Sequence, residues 1–186
     1  MFIPAPLERI ANPALSPNPA KAPWYFMGLQ ELLLHFHPLV GAIVIPSFVV
    51  IGIFLLPFFD LNLASVGIYF RSNRGRALTL LAAGLALIAT PIWVLLDEYV
   101  LNWTEWLPTW NTLLSNGLIP LVVILLPLIL LDEWMSKKYQ ADTEERVLFI
   151  ATFIFTAFIV LTLIGIFFRG PGMSLYLPWN MPVVVH

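Results

Sequence analysis

The stretch that decides the fold is VLFIATFIFTAFIVLTLIGIFF, residues 147–168, which contains no charged side chain and no histidine. A helix needs roughly 20 such residues to cross the about 30 Å hydrocarbon core of a bilayer. Three further uncharged runs have comparable length: residues 38–59, 77–96 and 106–131. The chain is 60% hydrophobic and only 11% charged, whereas soluble domains are about half apolar and about a quarter charged. The sequence therefore predicts an all-α membrane protein with about four transmembrane helices.

The segment before the first run predicts an extended stretch followed by a short helix. Residues 1–23 carry six prolines, and proline at that frequency prevents a regular helix. Residues 24–37, WYFMGLQELLLHFH, contain none. On a helix, Glu31 and His35 share one face because they are four residues apart. The apolar side chains fall on the opposite side: Leu29, Leu32, Leu33 and Phe36. This pattern predicts a short amphipathic helix lying near the membrane surface.

The charges between the apolar runs predict how the chain is oriented. Two loops are basic and contain Arg71, Arg74, Arg76, Lys137, Lys138 and Arg146. The loop between the second and third runs contains only acidic charges: Asp97, Glu98 and Glu105. Basic loops face the cytoplasm under the positive-inside rule. We therefore expect both termini to lie on the positive side of the membrane, which is the periplasmic side in the case of a bacterial inner membrane, and most tryptophans form an interfacial belt there.

The composition argues against several functions. The absence of cysteine excludes disulfides, thiolate metal sites, iron–sulfur ligation and covalent c-type haem attachment by this chain. The net charge of -2 provides no basic surface for nucleic acid. Histidine occurs only at positions 35, 37 and 186, so the apolar runs offer no haem ligand and no titratable group for an ion pathway. We expect no metal ligand in this chain, and a transporter with a midplane binding site is disfavoured.

Two short motifs resemble the C-terminal half of cytochrome b from quinol-oxidising bc-type complexes. That family has a segment ANPL-x-TPP followed by PEWYF. Here ANPALSPNP occupies residues 11–19 and APWYF occupies residues 22–26. The order of apolar runs is also similar over about residues 11–140, with Phe70-Arg71 similar to the family's FRP-type segment. The chain resembles one part of a naturally split cytochrome b, similar to subunit IV of the photosynthetic complex but with an additional run.

The resemblance implies a division of the chain and a set of partners. Residues 1–37 would form a quinol-site loop and interfacial helix, residues 38–140 a three-helix region, and residues 141–186 an added transmembrane helix and tail. The implied partners are lipid, a haem-carrying N-terminal cytochrome b subunit, a Rieske-type iron–sulfur protein and a cytochrome c-type subunit. Haem b would lie on the partner chain, quinol or quinone would be bound at a shared site, and the resemblance allows a dimeric complex.

The resemblance also implies site residues. In the family the glutamate of PEWY accepts a proton from quinol, whereas this chain has Pro23 there. The residues expected to line the quinone pocket are Pro23, Trp24, Tyr25 and Phe26, and the alternative is a plain aromatic belt. Glu31 is the nearest carboxylate, and with His35 it is expected to form a catalytic proton relay. The alternative is that Glu31 and His35 are a surface pair on an interfacial helix.

Other functions remain open at the level of sequence. The apolar runs lack polar residues and the motif glutamate is missing, which would suit a non-catalytic structural subunit of a respiratory or photosynthetic complex. Residues 147–168 are expected to be scaffold that faces lipid or a partner. His37, next to Pro38, is expected to end a helix rather than to bind a ligand.

Overall fold

The computed structural model describes residues 21–58 and 72–180. In chain order the helices are α1 (Met27–Leu34), α2 (Val40–Leu55), α3 (Asn73–Tyr99), α4 (Trp103–Trp106), α5 (Leu114–Tyr139) and α6 (Thr143–Phe167). Single helical turns occur at Trp24–Phe26, Leu56–Phe58, Pro171–Met173 and Pro178–Asn180. Within these described ranges there is no strand, only an isolated bridge between Arg169 and Leu175. The predicted all-α fold is confirmed.

Three helices, α3, α5 and α6, are long and apolar enough to cross a membrane, which supports the predicted membrane protein. The apolar run at residues 38–59 forms a shorter helix, α2, than the other three runs do. At 1.5 Å per residue, α2 covers about 24 Å and falls short of the about 30 Å core. The long helix of the third run begins at Leu114, so residues 106–113 of that run lie outside it.

Helix α6 is the element on which much of the chain packs, since it contacts α1, α3 and α5. Two apolar clusters join α6 to α3 at opposite ends. The members of the first are Leu78, Ala82, Met135 and Phe149, and those of the second are Val94, Val160, Leu161 and Ile164. Small buried residues of α3 allow this close packing: Gly75, Thr79, Ala82, Ala86 and Thr90. The description of residues 147–168 as lipid- or partner-facing scaffold therefore fits only the outer side chains, such as Phe155.

The N-terminal ends of α3 and α6 lie together, so these two helices run parallel. The Ser72 hydroxyl donates to Glu145 Oε1 at 2.5 Å and accepts from the Gly75 N–H at 2.8 Å. Arg74 Nη1 donates to the Tyr139 carbonyl at 3.0 Å, which brings the end of α5 to the same place. The described parts of the two basic loops therefore share one end of the bundle, as the charges suggested. The compartment that this end faces stays a prediction.

Ser72 gives the first testable expectation. Replacing it with alanine removes the side-chain cap of α3 and the bond to Glu145, and we expect the free energy of unfolding to fall by about 1 kcal/mol. Equilibrium unfolding of the purified protein in mixed micelles, followed by circular dichroism, measures the change. The matched control is Ser47→Ala, because Ser47 is exposed within α2. An equal loss in both variants would contradict the capping role.

Candidate functional site

The centre of the candidate site is a buried ion pair between Glu31 of α1 and Arg169, which lies just beyond the end of α6. Glu31 is 0% exposed and Arg169 is 1% exposed. Arg169 Nε donates to both carboxylate oxygens at 3.0 Å, and Nη2 donates to Oε1 at 2.7 Å. Such forked, charge-assisted hydrogen bonds fix orientation as well as distance. The pair therefore locks α1 onto the C-terminal end of α6.

Arg169 also binds α3 and the chain that follows α6. Its Nη1 donates to Glu98 Oε2 at 2.8 Å and to the Met173 carbonyl at 2.8 Å. The segment after α6 turns back so that Tyr176 N–H donates to the Phe168 carbonyl at 2.7 Å. Within this turn Met173 has φ of +58°, a left-handed conformation that non-glycine residues seldom adopt. The turn places a backbone acceptor against the guanidinium and completes its enclosure.

His35 connects the same carboxylate to α3. Its Nδ1 lies 2.7 Å from Asp97 Oδ2, and its Nε2 lies 3.3 Å from Glu31 Oε1. The ring is buried and the Asp97 side chain is 14% exposed, so the chain of contacts leads from the interior toward the surface. The alternative of a surface pair is wrong for Glu31 and His35. The i, i+4 face that they share points into the protein because Arg169 and Asp97 lie there.

The cluster stabilises the charged forms of its members. Burial alone would raise the pKa of the Glu31 carboxyl, but hydrogen bonds and positive charge from His35 and Arg169 hold that pKa below its usual value. Burial alone would lower the pKa of His35, but hydrogen bonds and negative charge from Asp97 and Glu31 raise it above its usual value. The site therefore favours a carboxylate at Glu31 beside an imidazolium at His35.

The residues just before α1 are fixed to the same scaffold. Lys21 Nζ donates to the carbonyls of Ile166 at 2.8 Å and Arg169 at 2.9 Å, which caps the end of α6. The Ala22 N–H donates to Gln30 Oε1 at 2.7 Å. Burial lowers the pKa of Lys21, and the nearby Glu31 carboxylate only partly offsets this. These bonds hold the start of the following aromatic turn in place.

The predicted quinone-pocket residues form an exposed turn next to the buried cluster. Trp24, Tyr25 and Phe26 are 71%, 58% and 54% exposed, and Pro23 is also exposed. The Trp24 and Tyr25 rings meet edge to face with centroids 5.8 Å apart, and the Phe26 N–H donates to the Pro23 carbonyl at 2.9 Å. The structure brings Glu31 and His35 together, but the aromatic rings point outward. Quinone binding by this turn stays a prediction.

The sequence did not predict that three residues of the cluster belong to the site: Asp97, Glu98 and Arg169. Each was only a charge flanking an apolar run. The available signal was that all three lie on the same predicted side as Glu31 and His35, in a chain with few charges. The prediction that His37 ends a helix is wrong, because α1 ends at Leu34 and His37 instead precedes α2, where its carbonyl accepts from the Val40 N–H at 2.8 Å. The His37 N–H donates to the Asn116 carbonyl at 2.7 Å, which ties the start of α2 to the start of α5.

A metal site was not expected, and that remains a prediction. In the part of the chain that the structure describes, no group of three or more histidine, aspartate or glutamate side chains is placed to hold a metal ion. No protein-family model, curated protein or solved structure matches this chain.

Proposed function

We propose that this chain is a membrane subunit of a quinol-oxidising complex of the cytochrome bc type. It supplies membrane scaffold and one wall of the quinol-oxidation site, while the b haems lie on a partner cytochrome b. Quinol loses two electrons and two protons. One electron passes to a Rieske-type iron–sulfur protein, the other to a b haem, and the protons leave on the positive side of the bacterial inner membrane.

The observation that carries this proposal is the exposed aromatic turn Trp24–Phe26. Exposed aromatic rings on a loose segment would lose much conformational freedom on binding, which weakens affinity. Here the turn follows Lys21 and Ala22, which are hydrogen-bonded to the scaffold, and precedes α1. A fixed aromatic surface suits a flat, largely apolar ring system such as a quinone head group. The turn lies in the motif on which the family resemblance depends.

The proposal assigns different roles to Glu31 and His35. A general base works best when its pKa lies near the operating pH. Glu31 accepts three hydrogen bonds from Arg169, and its lowered pKa makes it a weak acceptor at neutral pH. His35 contacts Asp97, which is partly exposed. The proposal therefore gives Glu31 the role of holding the geometry and assigns proton transfer to His35 and Asp97. The His35 imidazolium first releases its proton through Asp97, and the neutral ring then accepts one from quinol.

A second candidate is a structural membrane subunit that binds no substrate. The enclosure of Glu31 by Arg169 favours it, because a fully paired buried carboxylate is well suited to joining helices. The two candidates differ in one respect that an experiment can reach. Only the quinol-site proposal requires the aromatic rings of the exposed turn for turnover.

The test is Trp24→Ala in the complex purified from its native membrane through a tag on this chain. A b-type haem spectrum in the purified complex identifies the cytochrome partner. We expect kcat/KM for a short-chain quinol to fall about tenfold, mainly through a higher KM, because one aromatic contact contributes about 1 kcal/mol or slightly more. Stopped-flow reduction of the acceptor measures it.

The matched control is Trp110→Ala, since Trp110 is 52% exposed but lies beyond α4 rather than in the turn. We expect this variant to keep normal kinetics. Unchanged kinetics in Trp24→Ala, in a complex that contains b-type haem, would favour the structural subunit. Absence of any b-type haem from the purified assembly would contradict the proposed complex itself.

A further inference from the structure

The two ring nitrogens of His35 both face carboxylate oxygens, which is unusual for a neutral imidazole. Nδ1 faces Asp97 Oδ2 and Nε2 faces Glu31 Oε1. A neutral ring has one N–H and one lone pair, so one of these contacts would set a lone pair against a carboxylate. Imidazolium has two N–H donors and satisfies both contacts. Glu31 is also bound by Arg169 on both oxygens, which favours its ionised form and leaves the proton to the ring.

The surrounding charges lead to the same assignment. The acidic groups that face the ring are Glu31 from α1 and Asp97 from α3, and a third carboxylate, Glu98 of α3, is bound by Arg169. The nearby basic groups are Arg169 beyond α6, which binds Glu31, and Lys21 before α1, whose pKa is lowered by burial. Even with both of these groups charged, three carboxylates are matched by two cations, and a proton on His35 balances the third. Leaving a net charge in a buried cluster is costly.

The proton on His35 affects the contact between α1 and α3 more than the contact between α1 and α6. Helix α1 packs mainly on α6, where Met27 touches Gly165 and Gly28 lies against Phe158 and Thr162. The direct polar contact between α1 and α3 in the described ranges is His35 with Asp97. A neutral ring with its proton on Nδ1 still donates to Asp97, but it carries no charge and no longer donates to Glu31. Loss of the proton therefore weakens the link between the end of α1 and α3, while the bonds from Arg169 to Glu31 and from the His37 N–H to the Asn116 carbonyl stay in place.

We propose that His35 is a proton-dependent latch, which as imidazolium joins the end of α1 to the end of α3 and on deprotonation holds them less tightly. The inference does not depend on the proposed function, because it uses only the contacts of this chain. Its direction follows from linkage. A histidine whose pKa is raised by folding contributes stability that is fully present below about pH 6.5 and is lost as the pH rises through the folded-state pKa.

The first measurement is the protonation state of His35 in the full chain in lipid nanodiscs. Nitrogen-15 NMR of histidine-labelled protein is suitable because the chain has three histidines. His35→Gln assigns the signal by its loss. Asp97→Asn, which keeps size and removes one facing charge, should shift the titration to lower pH. We expect both His35 nitrogens to stay protonated above the range in which an ordinary histidine becomes neutral. Titration within the ordinary range would overturn the proposal.

The second measurement is the loosening of α1. The chain contains no cysteine, so Leu34→Cys on α1 and Tyr99→Cys on α3 provide a unique pair of spin labels on exposed positions. We expect a single narrow distance at low pH and a broad distribution once His35 is neutral. The control pair, Leu87→Cys on α3 and Phe155→Cys on α6, should not change. A narrow distance that persists after His35 loses its proton would overturn the latch, even if His35→Gln fails to fold.

Discussion

Replacing Arg169 with methionine is expected to lower the free energy of unfolding by about 3–5 kcal/mol. Methionine fills similar space but supplies no charge, so Glu31 would remain buried without its cation. Arg169 is 1% exposed and binds Glu31, Glu98 and the Met173 carbonyl, so water cannot easily replace it. The measurement is reversible unfolding in mixed micelles followed by circular dichroism.

Two further variants separate the ion pair from simple packing. The double variant E31M/R169M replaces both charges, and we expect it to recover much of the lost stability, because a buried apolar pair is often as stable as an ion pair. The matched control is Lys137→Met, whose pair with Glu133 is 80% and 57% exposed. An exposed pair of this kind contributes about 0–1 kcal/mol. If R169M costs no more than K137M, the ion pair does not anchor α1.

The difference between these pairs bears on the proposed function. A carboxylate that holds α1 onto α6 is poorly suited to accept a proton, because protonating it would weaken its hydrogen bonds from Arg169. Pro23 occupies the position at which the resembled family has a glutamate. The next carboxylate along the chain, Glu31, is held in an ion pair with Arg169. Of the two predicted catalytic residues, His35 is therefore the better candidate for proton transfer, with Asp97 as its route toward solvent.

The sequence predicted the helices well because membrane spans follow from composition and length alone. Residues 77–96 and 147–168 lie within α3 and α6, apart from the last residue of the second run. The spacing of Glu31 and His35 correctly placed them on one face. Their burial could not be predicted, because periodicity identifies a face but not its partner. That partner, Arg169, is 138 residues away from Glu31 in the sequence. From the sequence alone, it was indistinguishable from the basic residues that commonly flank a transmembrane helix.

The short α2 illustrates a second limit. Residues 38–59 are as apolar as the other runs, yet the described helix ends at Leu55 and continues as a single turn, Leu56–Phe58. A proline at position 57 lies in that turn, and proline lacks the N–H that continues a helix. The proline within α3, Pro91, does not end its helix. The same residue type therefore gave opposite outcomes, which local sequence alone does not distinguish.

Gly165 is a position at which α1 lies close against α6, and replacing it with leucine is expected to cost about 1–3 kcal/mol. A Cβ atom there would overlap Met27 Cγ, lie 2.9 Å from Met27 Sδ and lie 3.4 Å from the Met27 carbonyl oxygen. A larger side chain must push α1 away from α6. Because Glu31 is one turn further along α1, that movement would also stretch its bonds to Arg169. Unfolding in mixed micelles measures the loss.

The matched control is Gly84→Leu, since Gly84 lies within α3 and a Cβ there would meet nothing within 4 Å. This variant should be neutral or more stable by up to about 1 kcal/mol, because glycine is a poor helix former. The double variant M27A/G165A tests the contact directly, since shortening Met27 makes room for the added methyl group. We expect it to be more stable than G165A alone. If Gly84→Leu and Gly165→Leu lowered the free energy of unfolding equally, Gly165 would not be needed for the packing of α1 on α6.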